Sequence, residues 1–501
     1  MSSIESEMGK VIGRRPSPLR AVSILLFGVY VMYSSVALLK GGFEPDEGFY
    51  LFAAKLVSEG ERPYADFGLT QPPAHAWLGS VVLPYLGWTV YGTRMLGLIL
   101  SCCTVIVGSI FLLRKKGWFS VVVFLLLFLS SPGWMERATI GKPFALGGFV
   151  ILISGAIVLS DIPIVWRWWL YTAFSAIGCL VRLPLAPMFI IGSVGLLYSL
   201  PNNKTRIAFF FGSVLVSFLV LVSIGWKCWD SMLFWLVDYH RLRIMPPGGI
   251  FPLSYIIKDG LSHSTMSWLL LLFAMWYQRK NVLFLGLCVG VLMSLIFNLG
   301  SYRGYGVYVV FFIPLSILLV SWGLGPVIDN IRHSFKPYLI YVAMGSVVFG
   351  GWMFRNAPYG WEHSDYLEEY DSVVRFVRRT VRPASQIVAT TIEVPVSAGF
   401  NVPNKLAMGM FGFTTSLSQE RADQVHFSTV SDIIGFLEDP STDAWVGSTM
   451  FKLNYSWSSP DQLRIFDEDR SAIIKCLEDN YRVSYMNKYY VVMLRKRETT
   501  L

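Results

Sequence analysis

Residues 41–77 read GGFEPDEGFYLFAAKLVSEGERPYADFGLTQPPAHAW and set two carboxylates, Asp46 and Glu47, directly behind a proline. Pro45 suits the first helical position, the two acids suit the first turn, and Gly60 suits the stop. Between them Phe49, Phe52, Ala53 and Leu56 fall at i, i+3, i+4 and i+7. That spacing predicts an amphipathic helix lying on a membrane surface. A helix N-terminus favours the anionic form of a carboxylate placed there. An ionised carboxylate at a water–lipid boundary is what a general base for a hydroxyl acceptor needs. Helix-starting residues of the plain kind have the same spacing, so spacing alone leaves both readings open.

The elements that must carry this loop are membrane spans. Of 501 residues, 42 are Lys or Arg and 33 are Asp or Glu, so 15% are charged, while 54% are hydrophobic. A soluble chain carries roughly 25% charged residues. With a mean hydropathy of +0.51, disorder, a fibrous protein and an ordinary soluble enzyme are excluded. Residues 1–354 hold 26 basic and 14 acidic side chains; residues 355–501 hold 16 and 19. The chain therefore divides into an all-α polytopic membrane domain, 1–354, and a small soluble α/β domain, 355–501. The first part thus carries +12 and the tail −3, and most of that basic excess sits in short loops, which speaks for orientation signals and against nucleic-acid binding. The six cysteines show neither C-x-x-C nor metal-ligand spacing.

About eleven spans fit, near 21–40, 91–113, 118–132, 143–160, 165–181, 184–200, 207–227, 264–277, 281–299, 305–325 and 337–354. Arg182, Pro184 and Pro187 split a stretch too long for one span. Lys10, Arg14, Arg15 and Arg20 precede the first span, which places the N-terminus in the cytoplasm and, with an odd count, the C-terminal domain on the outer side of a cell (plasma) membrane. The first outer loop is then 41–90. In the tail, helices are expected at 365–380, 429–437 and 470–478 and a strand at 386–391. A hairpin follows in YRVSYM-NK-YYVVMLRK, where Asn487 takes the positive φ of a tight turn. Asn454-Tyr-Ser456 fits a glycosylation sequon. The tail shows no acid–base constellation, so it is expected to shape acceptor access and not to do chemistry.

The pattern E-P-D-E-G-x-Y, then G-E-R-P-Y-A-D-F, Q-P-P and V-Y-G-T-R-M-L-G across residues 44–97 resembles the GT-C superfamily of membrane glycosyltransferases. Within it, the chain is similar to the branch holding protein O-mannosyltransferases and lipid A aminoarabinose transferases. LVRLPLAP at 180–187 and WLVDYHR at 235–241 resemble family segments more loosely. The resemblance implies transfer of one sugar from a polyprenyl-phosphate donor to a lipid, polysaccharide or protein acceptor on the outer face. It maps the family's catalytic base onto Asp46 and the second acid of its pair onto Glu47. Two departures stand out. Gly48 and Phe49 replace a Thr-Arg pair, removing one phosphate-binding arginine, and the second outer loop offers Glu136, with Phe144 where the family has an acid.

A lipid phosphate leaving group needs cations. Arg94, Lys142, Arg182, His240, Arg241, Arg243 and Arg303 all fall on the outer side of this topology, with Lys142 and Arg303 preferred as phosphate ligands. Each taken singly also reads as an interfacial anchor. Tyr64 and Asp66, like Glu136, either contact sugar or acceptor or brace the loop. No cofactor is called for, and no metal-ligand spacing supports a divalent metal. Two other classes compete with the transferase: a polytopic transporter, which would carry acids mid-membrane, and a non-enzymatic membrane assembly subunit.

Overall fold

The computed structural model describes residues 18–42, 44, 46–200, 202–242, 265–300, 306–324, 365–413, 417–449 and 467–496. The membrane part opens with α1 (Pro18–Lys40), α2 (Asp46–Ser58), α3 (Ala74–Leu86) and α4 (Val90–Lys116). It continues through α5 (Trp118–Leu129), α6 (Pro132–Ala138), α7 (Phe144–Val158) and α8 (Ile164–Val181). After a 3₁₀ turn at Leu183–Leu185 come α9 (Ala186–Tyr198), α10 (Asn203–Gly225), α11 (Trp229–Leu233) and α12 (Tyr239–Leu242). The part closes with α13 (Thr265–Tyr277), α14 (Val282–Gly300) and α15 (Ile313–Gly323).

Local chemistry sets several of these boundaries. Thr89 caps α4 by accepting the Gly92 N–H at 3.2 Å. Gly117, at φ +86°, turns the chain between α4 and α5. The break expected at Arg182–Pro187 is the 3₁₀ turn joining α8 to α9.

Helices lie at ten of the eleven expected span positions, and 337–354 falls outside the described residues. Among the described residues four helices are long and apolar enough to cross a bilayer alone: α1, α4, α8 and α10. The helices α5 and α6 form one apolar unit bent by 74°. The remaining apolar helices, near 144–158, 183–198, 267–277, 282–296 and 308–323, are shorter over the stretches whose side chains are described. The chain is a multi-pass membrane protein, and the count of eleven is not what these lengths establish.

The C-terminal part contains α16 (Tyr366–Thr380), β1 (Gln386–Ala389), α17 (Glu393–Ala398), α18 (Gln419–Gln424), α19 (Val430–Glu438), β2 (Thr442–Ser448), α20 (Asp467–Asn480), β3 (Tyr481–Met486) and β4 (Tyr490–Arg495). Its sheet has the order β1-β2-β4-β3, with β1 and β2 parallel and the other pairs antiparallel. Thr429 and Asp432 form a reciprocal capping box at the start of α19. Thr429→Ala is expected to cost about 1 kcal/mol, read by unfolding of the full chain.

Three expectations change. The hairpin forms, but Asn487 is not among the residues with positive φ; its Oδ1 instead accepts the N–H groups of Tyr489 and Tyr490. The strand β2 was not anticipated, because all seven of its residues are buried and a doubly covered strand shows no alternation. Most consequentially, α2 is no surface helix. Every residue from Glu47 to Ala54 is buried, since the helix is packed into an apolar cluster that also contains Val396, Met408 and Phe427 of the C-terminal part. The wet face predicted from spacing is covered by protein.

The two parts are joined elsewhere by aromatic packing. Trp235 stacks on Phe427 with centroids 5.1 Å apart and donates its indole N–H to the Val425 carbonyl at 2.7 Å. A side chain at Gly68 would collide with that indole, its Cβ falling 1.9 Å from the ring.

Candidate active site

The two acids of the EPDE segment end in different environments. Glu47 is 1% exposed and the Asp46 side chain 30%. Glu47 faces the first turns of α4, where Arg94 donates to it from Nη2 at 2.6 Å and from Nε at 2.9 Å. The Gly141 N–H adds a third bond at 2.7 Å. The rest of the Arg94 guanidinium donates to the carbonyls of Leu38, Gly41 and Gly42 at 3.2, 2.8 and 2.9 Å. An arginine has five N–H donors, and here protein acceptors engage all five. Those carbonyls end α1, where the backbone lacks helical partners and the dipole favours a cation. One buried ion pair thus ties α1, α2, α4 and the loop before α7.

Asp46 points the other way, into a cluster of alternating charge. Lys142 Nζ lies 2.8 Å from Asp46 Oδ2 and 2.6 Å from Glu44 Oε1. Arg137 Nη1 is 3.3 Å from Glu44 Oε2. Burial on its own lowers the Lys142 pKa, but the Asp46 and Glu44 carboxylates outweigh it and hold it above the usual range. Glu44 and Arg137 escaped the sequence reading; the only signal was their place in the EPDE and MERATIGK segments.

Arg182, at the C-terminal end of α8, adds a second cation. It is 8% exposed, its guanidinium lies 4.2 Å over the Tyr308 ring, and it interacts electrostatically with Tyr50 of α2. Its Nε is buried without a hydrogen-bond partner among the described residues. Both Asp46 and Arg182 act electrostatically on Tyr50, so α2 carries the acid and the α8 end carries the cation toward one another.

The other expected residues are distributed differently. Tyr64, fully buried at φ +69°, donates its hydroxyl to the Gln71 carbonyl at 2.6 Å and its N–H to Phe67. Asp66 accepts from the Arg62 backbone N–H at 2.8 Å and from its guanidinium at 3.2 Å. Both side chains are spent inside the loop. Glu136 is half-buried on α6. His240 is exposed on α12, in the segment that carries Tyr239 onto Phe427. The Arg241 side chain, Arg243 and Arg303 lie outside the described residues, as does the sequon at 454–456. Among the described residues no group of three or more His, Cys, Asp or Glu side chains is placed to hold a metal ion.

No family model matches the chain, and no curated protein does. Its fold is nevertheless shared with solved structures. ArnT from Cupriavidus metallidurans in the apo state superposes with a TM-score of 0.65 at 14% identity, covering 94% of this chain and 97% of that one. The same protein bound to undecaprenyl phosphate gives 0.62 at 13% identity with the same coverage. The oligosaccharyltransferase of Archaeoglobus fulgidus, tethered with an acceptor peptide, gives 0.46 at 10%, covering 94% of this chain and 74% of that one. The chain thus shares its fold with the two ArnT structures over almost its whole length.

Proposed function

We propose that the protein transfers one sugar from a polyprenyl-phosphate-linked donor to an acceptor hydroxyl, with Asp46 as general base. The observation that carries this reading is the division of the acidic pair. Glu47 is buried and fully paired, whereas Asp46 reaches solvent within a cluster of alternating charge that includes Lys142. In the reaction, Asp46 takes the acceptor's hydroxyl proton as the oxygen attacks the anomeric carbon. The bond from that carbon to the phosphate oxygen breaks, and its electron pair leaves with the polyprenyl phosphate.

The charge that develops on the phosphate calls for fixed cations. Arg182, with its unpartnered Nε, is assigned to this role. Lys142 joins it: an ammonium has three donors, and Glu44 and Asp46 take two of them. Arg94 and Glu47 are assigned to hold the frame, because their donors and acceptors are already engaged. Tyr64 and Asp66 brace the loop. A polyprenyl-phosphate donor is supported by the shared fold with ArnT, which has been crystallised with undecaprenyl phosphate. In this reading the site faces the outer side of the plasma membrane, and the N-terminus is cytoplasmic.

The test is to incubate the purified full chain with a panel of polyprenyl-phosphate sugars and envelope acceptors, and to score free lipid phosphate. Acceptor-dependent release with at least one donor is expected; none across the panel would overturn the reading. Arg182→Ala is expected to weaken donor binding about 10–100-fold, since a hydrogen bond to a charged group contributes roughly 1.5–3 kcal/mol. Binding of the donor to the variant by titration checks this.

A further inference from the structure

The tail holds a buried acid that the proposed chemistry does not use. Glu393, in the first turn of α17, is 2% exposed. Its Oε1 lies 3.1 Å from the Tyr490 hydroxyl on β4. Its Oε2 presses on α2 at Gly48, the residue directly after the acidic pair. A Cβ there would fall 2.3 Å from that oxygen and 3.0 Å from the Glu393 backbone nitrogen. Tyr490 in turn lies 3.1 Å from the Tyr366 hydroxyl, and the Tyr366 ring lies under the Arg94 guanidinium at 5.3 Å. Side chains from α17, β4, α16, α4 and α2 therefore run in one contiguous path from Glu393 to Glu47. A parallel tie fixes α16 to the start of α4: the Val90 N–H donates to the Tyr370 hydroxyl at 3.3 Å, and Tyr91 donates to Asp371 at 2.9 Å.

We propose that Glu393 is a positioning residue for the acidic pair, seating the first turn of α2 from behind so that Asp46 meets the acceptor in the productive geometry. This rests on the transferase reading and deepens it. The C-terminal part then does no chemistry of its own, yet it completes the membrane site. Gly48 stands where the aminoarabinose-transferase pattern has threonine, and any side chain there would have to displace the carboxyl that braces the turn.

Protonation supports this role. Burial raises the Glu393 carboxyl from its ordinary 4.5 to about 7, with the Tyr490 hydrogen bond opposing and Glu47 adding. The groups facing it are Glu47 from α2, Tyr490 from β4 and Tyr366 and Tyr370 from α16, with Arg94 beyond Tyr366. A raised carboxyl stabilises the fold fully below its unfolded value and loses that contribution as pH rises through its folded one. The net stability it contributes therefore falls between about 4.5 and 7, while in the folded protein the bracing carboxyl stays neutral until about 7. Above that range a second carboxylate stands behind Glu47.

The experiment compares the full chain with Glu393→Gln, Glu393→Ala, Gly48→Ala and the double variant Gly48→Ala/Glu393→Ala. Two readouts are used: kcat and donor KM against pH, and hydrogen exchange at amides 50–53, which bond to carbonyls of residues 46–49. Gly48→Ala is expected to lower kcat roughly 10–100-fold, the scale of a displacement of about 1 Å in a reacting group. Donor KM should stay nearly constant, exchange at 50–53 should speed up, and the double variant should recover part of both. Glu393→Gln, neutral at every pH, should keep the wild-type rate at pH 6 and lack the decline above pH 7. Unchanged exchange and kcat in Gly48→Ala, or a Glu393→Gln profile identical to wild type, would overturn the proposal. If exchange responds as stated while even the wild-type chain transfers no sugar, the positioning contact stands and the transferase reading fails.

Discussion

Replacing Asp46 with asparagine slows sugar transfer by about 10²–10⁴, the usual worth of a positioned proton acceptor, while the protein folds and binds donor as before. Folding survives because asparagine is tolerated at a helix start and because Lys142 keeps its bond to Glu44 at 2.6 Å. Donor binding survives because the cations assigned to the phosphate remain. Turnover and thermal stability measured side by side separate a base from a helix-starting residue. A mere helix starter would show a small stability loss and nearly full turnover. Retention of more than half the wild-type rate removes Asp46 from the chemistry.

The second large effect is on stability. Glu47→Gln leaves the Arg94 guanidinium buried without its counter-ion, and Arg94→Met leaves the Glu47 carboxylate in the same state. Breaking one side of a buried pair costs about 3–5 kcal/mol, so either variant is expected to unfold at markedly lower denaturant. Removing both charges, as in Glu47→Leu/Arg94→Met, should recover part of the loss. Recovery stays partial because the carbonyls of Leu38, Gly41 and Gly42 no longer receive the arginine. Single variants that lose less than about 1 kcal/mol, the range of exposed pairs, would show that the pair does not hold α1, α2 and α4 together.

These two residues also show what a linear sequence reveals. The acidic pair, the Gly60 stop at φ +97° and the Arg182–Pro187 break follow local rules, so residue type and spacing locate them. The opposite fates of Asp46 and Glu47 depend on α4 and on the loop at Gly141, which lie 47 and 94 residues away from Glu47. Nothing local distinguishes the two acids. Arg94 reads as a phosphate ligand from its type and place, yet the end of α1 and Glu47 engage its donors.

The same limit applies to α2. Its 3.6-residue spacing predicts the helix correctly, but Tyr50, Leu51 and Ala54, on what should be the wet side, are buried. The cover comes from residues more than 300 positions later, such as Val396 and Met408. For that reason the tail, expected to stand over the site, proves to be built against it. Tyr64 could be read either way from sequence, and its hydrogen bond to Gln71 speaks for bracing. Glu393 gave no signal at all, because its meaning lies in a glycine 345 residues earlier.

The most direct test is a structure of the Asp46→Asn chain trapped with an intact polyprenyl-phosphate sugar. The donor phosphate is predicted to lie against Arg182 and Lys142, with the anomeric carbon facing residue 46. A headgroup seated elsewhere, for instance beside Arg279 and Lys280 after α13, would contradict the assignment of the reacting centre to Asp46.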